Sequence, residues 1–193
     1  MNITKSFSTT LVFILATGFA ARAGSISGKV TRGRGSTVVY VDAIAGKTFP
    51  APEQHFSMDQ KALLFQPHVL VVPVGATVDF KNSDNVAHNV FWPNIAGNKK
   101  DSHNLGTWPR GQSQSFKFEK AGVVPLLCNV HPEMSGFIIV TPTPYYAEAD
   151  GSGAYKIDNV PDGTYTVVVW HEGSKPVSKQ ITVAGPTTAD FAK

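Results

Sequence analysis

The chain of 193 residues is 42% hydrophobic and 16% charged, with 17 basic against 14 acidic groups and one cysteine. That length is enough for one large or two small domains, each with a real core. Lys5 and Arg22 are the charged residues of the first 23, so without that segment the 17 basic groups fall by two against an unchanged 14 acidic ones. A near-neutral chain of this kind lacks the clustered basic face of a nucleic-acid binder, and nucleic acid is excluded as a partner.

Lys5, an apolar stretch over 11–20 and the small-x-small triplet Ala21-Arg22-Ala23 predict a secretory signal over 1–23, with a mature product beginning near Gly24. The apolar stretch is too short to span a bilayer, and no later one is longer, so no membrane span is expected after cleavage. The expected location is outside the cytoplasm, in a bacterial periplasm. An exported chain with one cysteine has no internal disulfide, which leaves Cys128 as a free thiol, an intermolecular link or a metal ligand.

From Gly24 onward, β-branched and aromatic runs alternate with Gly, Pro, Asn and Asp, and no long stretch has helical spacing, which predicts an all-β fold. Strands are expected at 25–31, 38–41, 62–65, 68–72, 77–80, 115–118, 122–127 and 136–140. Residues 46–60 read as a connector, Lys81-Asn82-Ser83-Asp84-Asn85 as a polar turn, and 94–108 as a loop. Asp150, Asp158 and Asp162 stand beside Gly or Asn, where short polar side chains support tight turns.

The chemistry concentrates in Cys128-Asn129-Val130-His131-Pro132-Glu133-Met134. A soft thiolate, an intermediate imidazole and a weak thioether within one short loop form a donor set that suits copper better than zinc, calcium or iron. A second histidine would complete a plane of two nitrogens and one sulfur, and His88, in His88-Asn89-Val90-Phe91, is the candidate. Glu133, beside Met134, would supply a harder oxygen donor. Its neighbour's thioether is preferred because adjacent residues of a tight loop point apart. His55, His68, His103 and His171 have no partners at ligand spacing and are expected to be structural or solvent-facing. Trp92, Pro93, Trp108, Pro109 and Pro132 flank the ligand segments, either as core or as an apolar rim around an exposed edge of His131. Lys99, Lys100 and Arg110 read as solvated loop residues or as a steering patch for an acidic partner.

With the His-Asn-Val segment ahead of a Cys-x2-His-x2-Met loop, residues 56–141 resemble a cupredoxin, the Greek-key sandwich of small blue copper proteins, with the loop spacing of amicyanins rather than plastocyanins. The resemblance implies one type 1 copper site held by His88, Cys128, His131 and Met134, with Asn89 hydrogen-bonding across to the cysteine loop. It also implies single-electron transfer between redox partner proteins, such as a c-type cytochrome or a dehydrogenase, and no enzymatic activity of the chain itself. A copper carrier and an interaction module with a vestigial site are the rival readings.

The remainder resembles a different family. Ala149-Asp150-Gly151-Ser152-Gly153-Ala154-Tyr155-Lys156-Ile157 followed by Val160-Pro161-Asp162-Gly163-Thr164-Tyr165 is similar to carboxypeptidase regulatory-like, transthyretin-type sandwiches. Such sandwiches begin with a strand like Ser25-Ile26-Ser27-Gly28-Lys29-Val30. The expected organisation is therefore a cupredoxin domain, 49–142, inserted into a discontinuous small β-sandwich built from 24–48 and 143–193, which serves as a spacer or docking module. Nothing in that sandwich has the residue order of a hydrolase triad, a carboxylate pair or a phosphate loop.

Overall fold

A computed structural model describes residues 23–31 and 33–192; the expected signal segment, apart from Ala23, lies outside the described residues. The strands in chain order are β1 (Ala23–Lys29), β2 (Thr37–Val41), β3 (Phe56–Lys61), β4 (Leu64–Gln66), β5 (Val69–Pro73), β6 (Thr77–Asn82), β7 (His88–Trp92) and β8 (His103–Trp108). There follow β9 (Ser113–Lys117), β10 (Gly122–Leu127), β11 (Ser135–Thr141), β12 (Tyr146–Glu148), β13 (Ala154–Pro161), β14 (Gly163–His171), β15 (Val177–Val183) and β16 (Pro186–Thr188). The helical element among the described residues is a 3-10 turn at Lys99–Asp101, capped by the Asn98 side chain. The fold is all-β.

Four sheets form. The middle of the chain supplies β5-β11-β10-β7-β8 and β4-β3-β6-β9, whereas the two flanks jointly supply β13-β1-β16 and β12-β2-β14-β15. Within the middle pair, β3 runs parallel to β6 and β5 parallel to β11, and the other pairings are antiparallel. Between those two sheets lies a core that includes Met58, Phe80, Trp92, Trp108, Phe118, Leu126, Met134 and Ile138. A second core, around Ile26, Val39, Ile157, Val167 and Phe191, fills the space between the flanking sheets.

A third apolar cluster joins the two halves: Val38, Val69, Val71, Ile139 and Trp170 are buried together, with Tyr40, Phe137 and Tyr146 packed against them. Side chains alternate across a strand, so β11 sends Ile138 and Val140 into the first core and Phe137 and Ile139 into the third. Likewise β2 sends Val39 and Val41 into the second core and Val38 and Tyr40 into the third. Strands covered on both faces read as continuous apolar runs rather than alternating ones, as Phe137-Ile138-Ile139-Val140 and Val38-Val39-Tyr40-Val41 do. The passage between the halves at Thr141-Pro142-Thr143-Pro144 is pinned: Thr143 Oγ1 donates to the Val41 carbonyl at 2.7 Å, and Thr141 Oγ1 to that of Thr143 at 2.8 Å.

Three local expectations are corrected. The connector 46–60 contains strand β3, whose inward residues include Met58 and the polar Gln60, both fully buried. The loop 94–108 contains β8, a strand at the edge of its sheet that buries little beyond Trp108. The strand expected over 62–65 starts later, because Ala62 and Leu63 take positive φ values of 55° and 57° in the tight turn between β3 and β4.

Candidate metal centre

His88 opens β7, with its side chain fully buried, and Cys128 follows directly on the end of β10. Leu127 pairs with Ser135 across the β10–β11 ladder and with Phe91 on β7, so both ends of the loop 128–134 and the strand of His88 are held in one sheet. Within the loop the Met134 amide donates to the His131 carbonyl at 3.0 Å, closing a turn. Met134 is fully buried in the first core, Glu133 is exposed and His131 is half-buried. The turn therefore separates the thioether from the adjacent carboxylate, one facing the core and the other solvent.

One donor atom each from His88, Cys128 and His131 lies within 4.8 Å of the other two, and among the described residues this is the His/Cys/Asp/Glu cluster of that compactness. The Nδ1 atoms of His88 and His131 approach to 2.9 Å. The second ring nitrogen of His88, Nε2, faces the Asp84 carboxylate at 2.8 Å. A carboxylate accepts only, so a proton on Nε2 would leave Nδ1 of His88 with its lone pair toward the cluster. Burial pushes the Asp84 carboxyl up, but the Leu63 amide, the His88 imidazole and the Ala62 amide outweigh it and hold the group below the usual carboxylate range.

The sulfur has its own neighbours. The backbone N–H of Asn89 donates to Cys128 Sγ at 3.4 Å. The Asn89 side chain accepts from the Asn129 amide at 3.3 Å and donates to the Gly106 carbonyl at 2.7 Å and to Asn104 Oδ1 at 2.8 Å. One buried asparagine thus connects β7, β8 and the cysteine loop. Two imidazole nitrogens, one thiolate sulfur and a buried thioether at the foot of the same loop fit copper, and the absence of clustered oxygen donors disfavours harder cations.

The remaining histidines have other partners. His55 faces Asp79 at 3.0 Å, His68 faces Glu172 at 2.9 Å, and the buried His171 bonds to Thr37 Oγ1 at 2.7 Å. His103 packs at a tilt against Trp92 and Phe116, with ring centroids 5.3 and 4.8 Å away. Trp92 and Trp108 are core, 1% and 2% exposed, and not rim. The exposed apolar side chains on the segments that bear the site are instead Leu63, Val86 and Val130. Val130 adjoins His131, Val86 lies between Asp84 and His88, and Leu63 donates its amide to Asp84 at 2.9 Å. Asp84 and these apolar residues escaped sequence reasoning. The signal available for Asp84 was an acidic residue four positions before a candidate ligand.

Part of the chain is similar to known copper binding proteins. Residues 52–141 match the family model of copper binding proteins, plastocyanin/azurin family. Residues 140–190 match polysaccharide lyase family 4, domain II, a different family from the carboxypeptidase regulatory-like one suggested by the turn motifs. The chain is 27% identical over 126 residues to amicyanin-alpha of Methylorubrum extorquens, covering 65% of this chain and 98% of the relative. Among solved structures, a purple cupredoxin from Nitrosopumilus maritimus is 26% identical, with a TM-score of 0.40 over 45% of this chain and 99% of its own. A copper-containing nitrite reductase from Thermus scotoductus is 25% identical, with a TM-score of 0.42 over 52% of this chain and 25% of its own. The segment that carries the His88, Cys128 and His131 cluster is therefore similar to the copper binding proteins of the plastocyanin/azurin family, and copper is its cofactor.

Proposed function

We propose that this chain is an exported type 1 copper protein that passes single electrons between redox partner proteins, and that His88, Cys128, His131 and Met134 are the residues that would hold the copper. The observation that carries the reading is the convergence of two imidazoles and one thiol within 4.8 Å. Bound copper supplies a one-electron couple; the protein's own part is to keep the donors still. The loop is short, both its ends are paired in one sheet, and Asn89 ties it to the neighbouring strands, which is the rigidity such a site needs.

Electron entry and exit would use the half-buried edge of His131, with the exposed apolar side chains of the same segments, Val130 beside it and Val86 two residues before His88, as the contact surface. A small apolar contact suits a brief redox encounter with a cytochrome or dehydrogenase. No helix among the described residues is long and apolar enough to cross a membrane, and export to a periplasm rests on the leader-like sequence of 1–23. The chain performs no catalysis of its own in this reading. Its middle segment is a guest domain and its flanks a host sandwich that acts as spacer or docking module, since β1 and β2 share sheets with β12 to β16.

The deciding experiment is addition of Cu(II) to the purified full-length protein. An intense thiolate-to-copper band in the visible, abolished in Cys128→Ser, together with reversible voltammetry, is the expected result. Absence of the band in the wild type, or its persistence in the serine variant, refutes the assignment. Ready surrender of copper to a chelator would identify a carrier instead.

A further inference from the structure

We propose that Asp84 is a positioning residue for the metal plane, fixing the tautomer and orientation of His88 and joining that ligand to the surface turn that carries Leu63 and Leu64. The argument starts from hydrogen-bond capacity. Asp84 Oδ2 receives His88 Nε2 at 2.8 Å and the Leu63 amide at 2.9 Å, while Oδ1 receives the Ala62 amide at 2.6 Å. Both of those amides belong to residues with positive φ, so the β3–β4 turn holds its left-handed geometry with the carboxylate as its acceptor. The Asp84 amide in turn donates to Asn82 Oδ1 at 2.9 Å, and the Asn82 side chain is fixed by the Val86 and Trp108 carbonyls. Asp84 is therefore held from both sides, and its own freedom to move is small.

His88 is fully buried and would otherwise choose between two tautomers. With Nε2–H committed to a carboxylate, Nδ1 is left as the lone-pair donor, turned toward His131 and Cys128. Partners of this kind fix ring orientation and raise ligand basicity, and their loss costs about 10- to 100-fold in metal affinity. The carboxylate also places a negative charge behind the ring. That charge favours the more highly charged oxidation state, so Asp84 lowers the reduction potential.

The inference rests on the copper reading for its redox part only, and two measurements separate them. In the metal-free wild-type protein, 15N NMR of the His88 ring is expected to show a single Nε2–H tautomer, and in Asp84→Ala a mixture. In the same variant the Ala62 and Leu63 amides are expected to exchange with solvent faster. In the copper-loaded protein, Asp84→Asn, which keeps an acceptor but loses the charge, is expected to lower the ratio of Cu(II) to Cu(I) affinity about tenfold. For a one-electron couple that is a potential higher by about 59 mV, with the visible band retained. A wild-type His88 protonated on Nδ1, an unchanged tautomer in Asp84→Ala, or an unchanged potential in Asp84→Asn would overturn the inference. A pinned tautomer in a protein that forms no blue site would refute the proposed function while supporting the role of Asp84.

Discussion

Replacing Asn89 with alanine removes the side chain that connects β7, β8 and the cysteine loop. Three hydrogen bonds disappear, to the Gly106 carbonyl, to Asn104 Oδ1 and from the Asn129 amide, at a residue only 3% exposed. A net bond is worth about 0.5–1.5 kcal/mol. Asn129 and Asn104 are exposed and can turn to water, but the Gly106 carbonyl loses its bond to a buried donor, so the expected loss is about 2–3 kcal/mol. Asn89→Asp provides an internal comparison. It keeps an acceptor for the Asn129 amide but sets a carboxylate against two acceptors, and it should cost at least as much as alanine. Urea unfolding of the metal-free full chain, followed by tryptophan fluorescence, measures both. The backbone bond from residue 89 to Cys128 Sγ survives either change, so the visible band should persist while copper dissociates faster. A loss below about 0.5 kcal/mol with unchanged copper release would refute the idea that Asn89 latches the loop.

Other outcomes follow from the same geometry. Trp170→Ala, which removes a buried ring packed at a tilt against Phe137 at a centroid distance of 5.2 Å, should destabilise the chain by about 3–5 kcal/mol in urea titration; a change under about 1 kcal/mol would mean the third cluster is not a tight interface. Leu64→Glu, at a side chain 53% exposed, should slow electron exchange with a c-type cytochrome while leaving the potential unchanged; an unaltered rate places docking elsewhere. The Ser115 hydroxyl holds the Asp79 carboxyl below its usual range against the opposing effect of burial, aided by His55 and Lys81. Its stabilising contribution is present above the ordinary carboxylate pKa of about 4 and is lost as pH falls through the lowered native value. Ser115→Ala should therefore move the Asp79 titration upward in NMR, and an unmoved titration would show that the hydroxyl is not the cause.

The cysteine loop was legible because its chemistry is local: three donor types stand within seven residues, and their order carries the information. His88 was singled out by the Asn-Val that follows it and by its strand context, and its Nδ1 lies 2.9 Å from that of His131. The flanking sheets followed from a strand at 25–31 that had no other sheet to join, and its pairing partners are β13 and β16. What escaped depends on contacts that no short window holds. β3 turns Phe56, Met58 and Gln60 inward, and the last of the three is polar, so its apolar alternation is short and faint. Trp92 and Trp108 looked equally suited to rim or core, although alternation counted from His88 puts residues 88, 90 and 92 on one side of β7, and all three are buried. Asp84 was visible as a turn former; that its carboxylate also meets the His88 ring depends on how the turn folds back.

The third cluster gives the flanking sheets a bearing on the metal loop. β11 starts at the residue after Met134, and its pairing with β10 sets where the loop ends. In a two-sheet sandwich the outward side chains of such a strand would face water, and the strand could flex at little cost. Here Phe137 lies against Trp170, Ile139 is buried among Val38, Val69 and Val71, and His68 on the same side faces Glu172 of the flank at 2.9 Å. Displacing β11 would have to disrupt apolar packing on both faces. Local opening free energies rise with buried contacts, so the end of the loop that carries Met134 should be the stiffer one. The Cys128 end, by contrast, depends on β10 and on the bonds of Asn89. Any redox-linked movement of the donors is then expected at His131, the half-buried residue between these two anchors, on the face open to a partner.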